Sequence, residues 1–363
     1  MMAVMRALPC LVKFRLVTSM LRLIDANINR LREGLRFLEE VARFQLNDAG
    51  LTQQLKSLRH ELTWTGKDFR RQLLAARSVG EDVGAQMEVS GQEQRDDLVA
   101  AVVANAIRAQ ESLRVLEESG KLYPLTLDYA RFQKARFDVY QLEQALVSRL
   151  LRQPLRQKVK GLYVIVDPEQ TGGREATEVA RLALRGGAQV VQLRDKVQAK
   201  GLQLATARKL KELCDGAGAL LIINDHVDLA VAVGAHGVHL GQKDLTTAAA
   251  RRMLPLETIV GCSTALVEEA LRAQEEGADY VAVGSIFPTA SKADTRPAGL
   301  ETLKQVREAV AIPVVAIGGI NADNLGSVKA SGADAFAVIS AVASAPDVQA
   351  AAVALCLKWE NLL

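Results

Sequence analysis

Two hydrophobic periods divide the chain. From Leu21 to about Leu151, apolar positions recur every three or four residues with little Gly or Pro between them, which predicts helices. Between Asn27 and Phe44, for example, Ile28, Leu31, Leu35, Leu38 and Ala42 form one buried stripe. From Gly161 onward the pattern changes to short β-branched runs: GLYVIVD (161–167), VVQLRD (190–195), LLIIND (220–225), GVHLG (237–241), IVGCST (259–264), YVAVGSIF (280–287), VVAIGG (314–319) and AFAVIS (335–340). Amphipathic segments such as ATEVARLALRGG and QLATARKLKELCDGAG separate them, several ending at glycine as helix C-termini prefer. Parallel strands need crossover helices, and eight such units close a sheet, so the expected architecture is an α/β (β/α)₈ TIM barrel preceded by an all-α domain. A doubly wound open sheet fits less well because no GxGxxG follows the first run. Gln153, Pro154 and the basic run Arg156 to Lys160 mark the boundary, giving a helical domain over 20–152 and a barrel over 158–363.

The helical part repeats itself. ANINRLREGLRFLEEVAR matches ANAIRAQESLRVLEESGK without a gap, pairing Asn27 with Asn105, Arg30 with Arg108, Glu33 with Glu111, Arg36 with Arg114, and Glu39-Glu40 with Glu117-Glu118. A weaker echo sets Arg59 and Glu61 against Arg136 and Asp138. Two related helical units about a pseudo-twofold are expected, too few and too long for a solenoid. Glu33, Arg36 and Glu40 fall opposite the Leu stripe. They form either a ladder of Glu–Arg pairs, worth a few tenths of a kcal/mol each, or a polar cleft for an anionic ligand.

Composition narrows the class. Nearly half of the 363 residues are apolar and the formal charge is only +3, so no nucleic-acid or membrane surface is expected. Cys10, Cys214, Cys262 and Cys356 lie far apart, which argues against a structural zinc and a disulfide framework and suggests a cytoplasmic setting. Residues 1–19 are basic and broken by Arg6, Pro9, Lys13 and Arg15; they read as an N-terminal extension ahead of a start at Met20.

In such a barrel the chemistry sits at the C-terminal ends of the strands. Gln192, Arg194 and Lys196 end the second run; Asn224 and Asp225 the third; His239, Gln242 and Asp244 follow the fourth. Ser263 and Thr264 end the fifth, Thr289, Ser291 and Lys292 follow the sixth, Gly318 and Gly319 end the seventh, and Ser340 the eighth. Arg194, Lys196 and Lys292 supply charge for a polyanion. Asp225 and Asp244 would repel it unless a divalent cation lay between, and Mg²⁺ keeps such hard oxygen ligands. Gly318-Gly319 and Ile339-Ser340 sit where barrels bind a monophosphate. His239 reads as a strand residue satisfied by its neighbours, and Cys262 as a small buried residue without a base beside it.

QLRDK, INDHVDLA, GVHLGQKD, GCSTAL, VGSIFPTASK, AIGGI and AVIS together resemble the thiamine phosphate synthases, from about Gly161 to the end. His226 departs from the Arg common there. The resemblance implies that hydroxymethylpyrimidine diphosphate lies across Gln192, Leu193, Arg194, Asp195, Lys196, Asn224, Ser263 and Lys292. It also implies that Asp225 and Asp244 hold Mg²⁺, and that Thr289, Ala290, Ser291, Gly319, Ile339 and Ser340 hold thiazole phosphate. Lys292, Arg194, Lys196 and Ser263 would carry catalysis by stabilising the departing diphosphate.

IDANINRLREGLRFLEEVARF and RSVGEDVG resemble the helical hydroxymethylpyrimidine phosphate kinase domain fused ahead of some of these synthases. That implies ATP as co-substrate, although the chain has no GxxxxGK[ST] loop. Asn27, Arg30, Arg36, Glu40, Asn105, Arg108 and Glu118 are the candidate residues. The competing reading is a thiazole tautomerase barrel behind a non-catalytic dimerisation module. Partners are small molecules in either case, and homo-oligomerisation stays open.

Overall fold

A computed structural model describes residues 10–63, 66–78, 95–122, 127–289 and 296–362, with side chains from residue 17. The chain divides into two compact units between Leu150 and Leu151.

The first unit is helical. Helix α1 spans Cys10–Glu40, and a short π-helical turn follows at Val41–Gln45. Helices α2 (Ala49–Thr63), α3 (Lys67–Ala76), α4 (Leu98–Leu122) and α5 (Tyr129–Arg156) complete it. The sequence repeat is a structural repeat. Ile24, Ile28, Leu31, Leu35 and Leu38 of α1 are buried, and so are Val102, Ala106, Ala109, Leu113 and Leu116, their counterparts in α4. Leu55, Leu58 and Leu62 of α2 correspond likewise to buried Phe132, Ala135 and Val139 of α5, one residue closer in register. Gly34 lets α1 and α4 approach, since a Cβ there would lie 2.9 Å from the Asn105 carbonyl oxygen.

Both copies bury a glutamate. Glu39 is 3% exposed and accepts from Arg36 at 3.1 Å and from Arg59 Nε at 2.7 Å. Glu117, fully buried, accepts from Arg114 at 2.9 Å, Lys121 at 3.0 Å and Arg136 at 3.2 Å. Asp25 breaks the symmetry. It holds Arg77 through two hydrogen bonds of 2.7 and 3.0 Å, whereas its counterpart is Val103. Residues 79–84 of RSVGEDVG lie outside the described residues.

The second unit is a closed barrel of eight parallel strands in sequence order. They are β1 Gly161–Val166, β2 Val190–Leu193, β3 Leu220–Asn224, β4 Gly237–Leu240, β5 Ile259–Thr264, β6 Tyr280–Val283, β7 Val314–Ile317 and β8 Ala335–Val338. Each strand is buried on both faces, and alternate residues serve different cores. Leu162, Val164, Val191, Leu221 and Val281 pack outward toward the helices. Tyr163, Ile165, Val190, Leu220, Ile222, Ile259 and Tyr280 fill the interior, together with Val159 and Leu155 from the segment before β1. At the opposite end of β6, Asp279 is buried between Arg152, at 2.9 Å, and Arg251. Among the described residues, no helix is long and apolar enough to cross a membrane.

Candidate active site

Strand parity places the site. In β2, Gln192 follows Val190 inward; in β3, Asn224 follows Ile222; in β5, Ser263 follows Gly261 and Ile259. Leu193, one position off, packs outward between strands and helices. Asp195 is buried and its Oδ1 accepts from the backbone N–H groups of Val197 and Gln198 at 3.0 and 2.9 Å, so its side chain shapes the loop.

Arg194 is oriented by an ion pair with Asp167, a buried carboxylate at the end of β1 that in the sequence merely closes an apolar run. Lys196 pairs with Asp225. Asp225 sits at φ +60°, a conformation that side-chain-bearing residues seldom adopt, pinned by its N–H donating to the His239 carbonyl at 2.8 Å. The Gly241 N–H donates to Asp244 Oδ2 at 2.8 Å. The Asp225 and Asp244 carboxyls are close enough that each shifts the other's proton affinity. Burial pushes Asp225 up, but Lys196 and Asp244 outweigh it and hold it below its ordinary value. Burial and the adjacent Asp225 push Asp244 above its own. Two carboxyls this close need a proton or a cation between them, so the donor set suits a hard divalent ion.

Below this rim a polar chain crosses the barrel. His239, 8% exposed, reaches Ser263 Oγ at 2.9 Å through Nε2 and Tyr280 Oη at 3.1 Å through Nδ1. Tyr280 Oη is 3.0 Å from Tyr163 Oη, which accepts from Gln192 Nε2 at 3.1 Å. Gly261 makes room for it, since a Cβ there would fall 2.0 Å from the Tyr280 ring. Both tyrosines were hidden in the sequence because a strand aromatic reads as core; their parity with Gln192 and Ser263 was the available signal. Cys262 faces outward, 3.0 Å from Thr247 Oγ1, and burial pushes its thiol up.

At the other side of the mouth, Gly318 and Gly319 have φ of +105° and +65°. A Cβ on Gly319 would lie 2.5 Å from the Pro288 carbonyl oxygen. Ile339 packs on the interior core, and Ser340 begins the four-residue helix Ser340–Ala343. Thr289 is half-buried, while Ala290, Ser291 and Lys292 lie outside the described residues. Just beyond them, Arg296 makes a paired salt bridge to Glu269 at 2.7 and 2.9 Å.

In the helical unit the candidates do not converge. Asn27 and Asn105 each donate to the carbonyl four residues back, Leu23 and Ala101, at 2.8 and 2.9 Å. Arg30 and Arg108 are exposed. Arg36 pairs with Glu40 as well as Glu39, and Arg114 with Glu118 at 3.0 Å. Arg32, Glu33, Arg36, Phe37, Glu40 and Arg59 line an open cleft of about 560 Å³.

The thiamine monophosphate synthase family profile matches residues 162–342, and the ThiD2 family profile matches 22–145. The thiamine-phosphate synthase of Synechocystis sp. is 42% identical over 90% of this chain and 92% of its own. That of Thermosynechococcus vestitus is 41% identical over 91% and 92%. Among solved structures, thiamine phosphate pyrophosphorylase from Pyrococcus furiosus is 43% identical, covers 58% of this chain and 99% of its own, and superposes with a TM-score of 0.54. On a strand-end site of this composition and a resemblance that runs through both units, the chain belongs to the thiamine-phosphate synthase family.

Proposed function

We propose that the barrel joins hydroxymethylpyrimidine diphosphate to thiazole phosphate, and that the helical unit makes the first of these from hydroxymethylpyrimidine phosphate and ATP. The observation that carries the synthase reading is the meeting of Asp225 and Asp244, at the ends of the two strands that follow the Arg194 strand, beside Lys196. A cation-assisted diphosphate site needs that combination; simple isomerisation of a thiazole does not.

Arg194, held by Asp167, and Lys196 bind the diphosphate oxygens. Asp225 and Asp244 would hold Mg²⁺, which when bound supplies positive charge to the leaving diphosphate. The carbon–oxygen bond breaks with its electron pair going to diphosphate, and the pyrimidine ring stabilises the resulting cation. The thiazole nitrogen then forms the new carbon–nitrogen bond. Gln192, Asn224 and Ser263 orient the pyrimidine, while Gly319 and the Ile339-Ser340 backbone seat the thiazole phosphate with Thr289, Ala290 and Ser291. Lys292 has its role by resemblance and adds charge to the leaving group. The protein supplies no nucleophile; it positions and stabilises. The kinase reading of the helical unit is supported by the ThiD2 match and the conserved spacing of its two copies.

The experiment supplies full-length protein with Mg²⁺, ATP, thiazole phosphate and hydroxymethylpyrimidine phosphate, and in parallel with the diphosphate directly. Thiamine phosphate from both is expected. Product from the diphosphate alone would remove the kinase reading. Product from neither would remove both and restore the tautomerase.

A further inference from the structure

The helical unit carries a group of charges that its duplication does not account for. Continuing the two alignments of the repeat, Arg22 falls on Ala100, Asp25 on Val103, Arg70 on Val147 and Arg77 on Pro154. The register holds there, because buried Leu73 falls on buried Leu150. Both copies keep the apolar positions that pack the helices, whereas these charges occur in one copy alone. They gather at one carboxylate. Asp25 is buried and spends both oxygens on Arg77, at 2.7 and 3.0 Å. Arg70, two turns earlier along α3, stops 3.9 Å from the same carboxylate, beyond hydrogen-bonding distance. Arg22, one turn before Asp25 on α1, donates to the Ser78 carbonyl at 3.1 Å.

Closing α3 on α1 needs only the pair of Asp25 and Arg77. Two guanidiniums on one carboxylate leave a positive charge over, and among the described residues Arg70 makes no side-chain hydrogen bond. The Arg70 and Arg77 side chains are 34% and 39% exposed, so an anion can reach them from solvent. Forked donors held in place by a buried carboxylate suit a phosphate group, which offers several acceptor oxygens at once. We infer that Arg70 and Arg77, oriented by Asp25 and with Arg22 beside them, bind a terminal phosphate group in the helical unit. The inference rests on the kinase reading for the source of that group, since both proposed substrates, hydroxymethylpyrimidine phosphate and ATP, carry one. Asp25 and Glu39 are fourteen residues apart on α1, about 20 Å at the helical rise, so this site is separate from the duplicated glutamate clusters.

The test uses the full chain. Arg70→Gln removes one cation without unpairing Asp25, and Arg70→Lys returns the charge without the fork. Equilibrium dialysis against hydroxymethylpyrimidine phosphate and, separately, against ATP compares each variant with the native chain. All three proteins carry the same barrel, which contributes equally to each. For at least one of the two ligands, Kd should rise about tenfold or more in Arg70→Gln and return part of the way in Arg70→Lys. The ligand affected is the one whose phosphate lies at the cluster. Thiamine phosphate formation from supplied diphosphate and the urea midpoint of the helical circular dichroism should stay unchanged. Kd values that do not move for either ligand would overturn the inference. So would weaker binding that comes with a lower urea midpoint, the mark of a merely structural role. A native chain that binds as expected yet transfers no phosphoryl group from ATP would remove the kinase reading and leave the phosphate site standing.

Discussion

Arg59 donates from Nε to Glu39 at 2.7 Å, and Arg136 makes the equivalent approach to Glu117, each reaching from the second helix of its repeat to the first. The duplicated charges therefore secure a helix pair from within. Replacing Glu117 by Gln should cost about 3 kcal/mol, because three cations lose the carboxylate they share. Urea denaturation followed by helical circular dichroism measures this, and a change under half a kcal/mol would contradict a structural role for the cluster.

The same glutamate predicts a pH dependence. Burial pushes the Glu117 carboxyl up, but Lys121, Arg136 and Arg114 together hold it below its ordinary value of 4.5. A folded value below the unfolded one means the stabilisation is present above pH 4.5 and is lost as pH falls through the folded value. The acid limb of the urea midpoint should be shallower in Glu117→Gln than in the native chain. Parallel limbs would be the contrary result.

Asp225 combines a carboxylate with a left-handed backbone, and the two can be separated. Asp225→Asn tolerates the conformation and loses the charge, so synthase turnover should fall roughly 10²-fold with little change in melting temperature. Asp225→Gly should restore any strain energy, raising stability while activity stays low. If Asp225→Asn kept native turnover, neither a metal nor a diphosphate role could stand.

Gly319 offers a test of the monophosphate side. At φ +65° and with the Pro288 carbonyl against it, Gly319→Ala must shift the backbone. KM for thiazole phosphate should rise about tenfold or more, with a much smaller change for the pyrimidine diphosphate, as initial rates would show. An equal rise for both substrates would place the glycine's effect on the barrel as a whole.

The eight strands were legible because parallel strands buried on both faces read as β-branched runs. Their ends were less so. The YVAVGSIF run suggested eight residues, yet β6 stops at Val283, since Gly284 lies against Ile317 where any Cβ would meet its carbonyl oxygen at 2.4 Å. The rim residues could be read because polar groups at strand ends stand out against an apolar run. Tyr163, Tyr280 and Asp167 could not, because inside or at the end of a buried strand they look like packing. In the helices the repeat pattern points to Glu40, whereas Glu39 is the buried member of the pair. It borders Leu38 and follows Leu35 by one helical turn, so a small rotation of the stripe turns it inward.

Asp279 also determines where this protein can be cut. Its carboxylate takes Arg152 on one oxygen and Arg251 on the other, and Leu155 and Val159 sit against the barrel interior. A barrel excised at its first strand, Gly161, would thus leave Asp279 with a single cation and expose apolar side chains that those two residues cover. An autonomous catalytic fragment has to begin upstream of Arg152, within the last turns of a helix whose periodicity continues that of the other half of the chain.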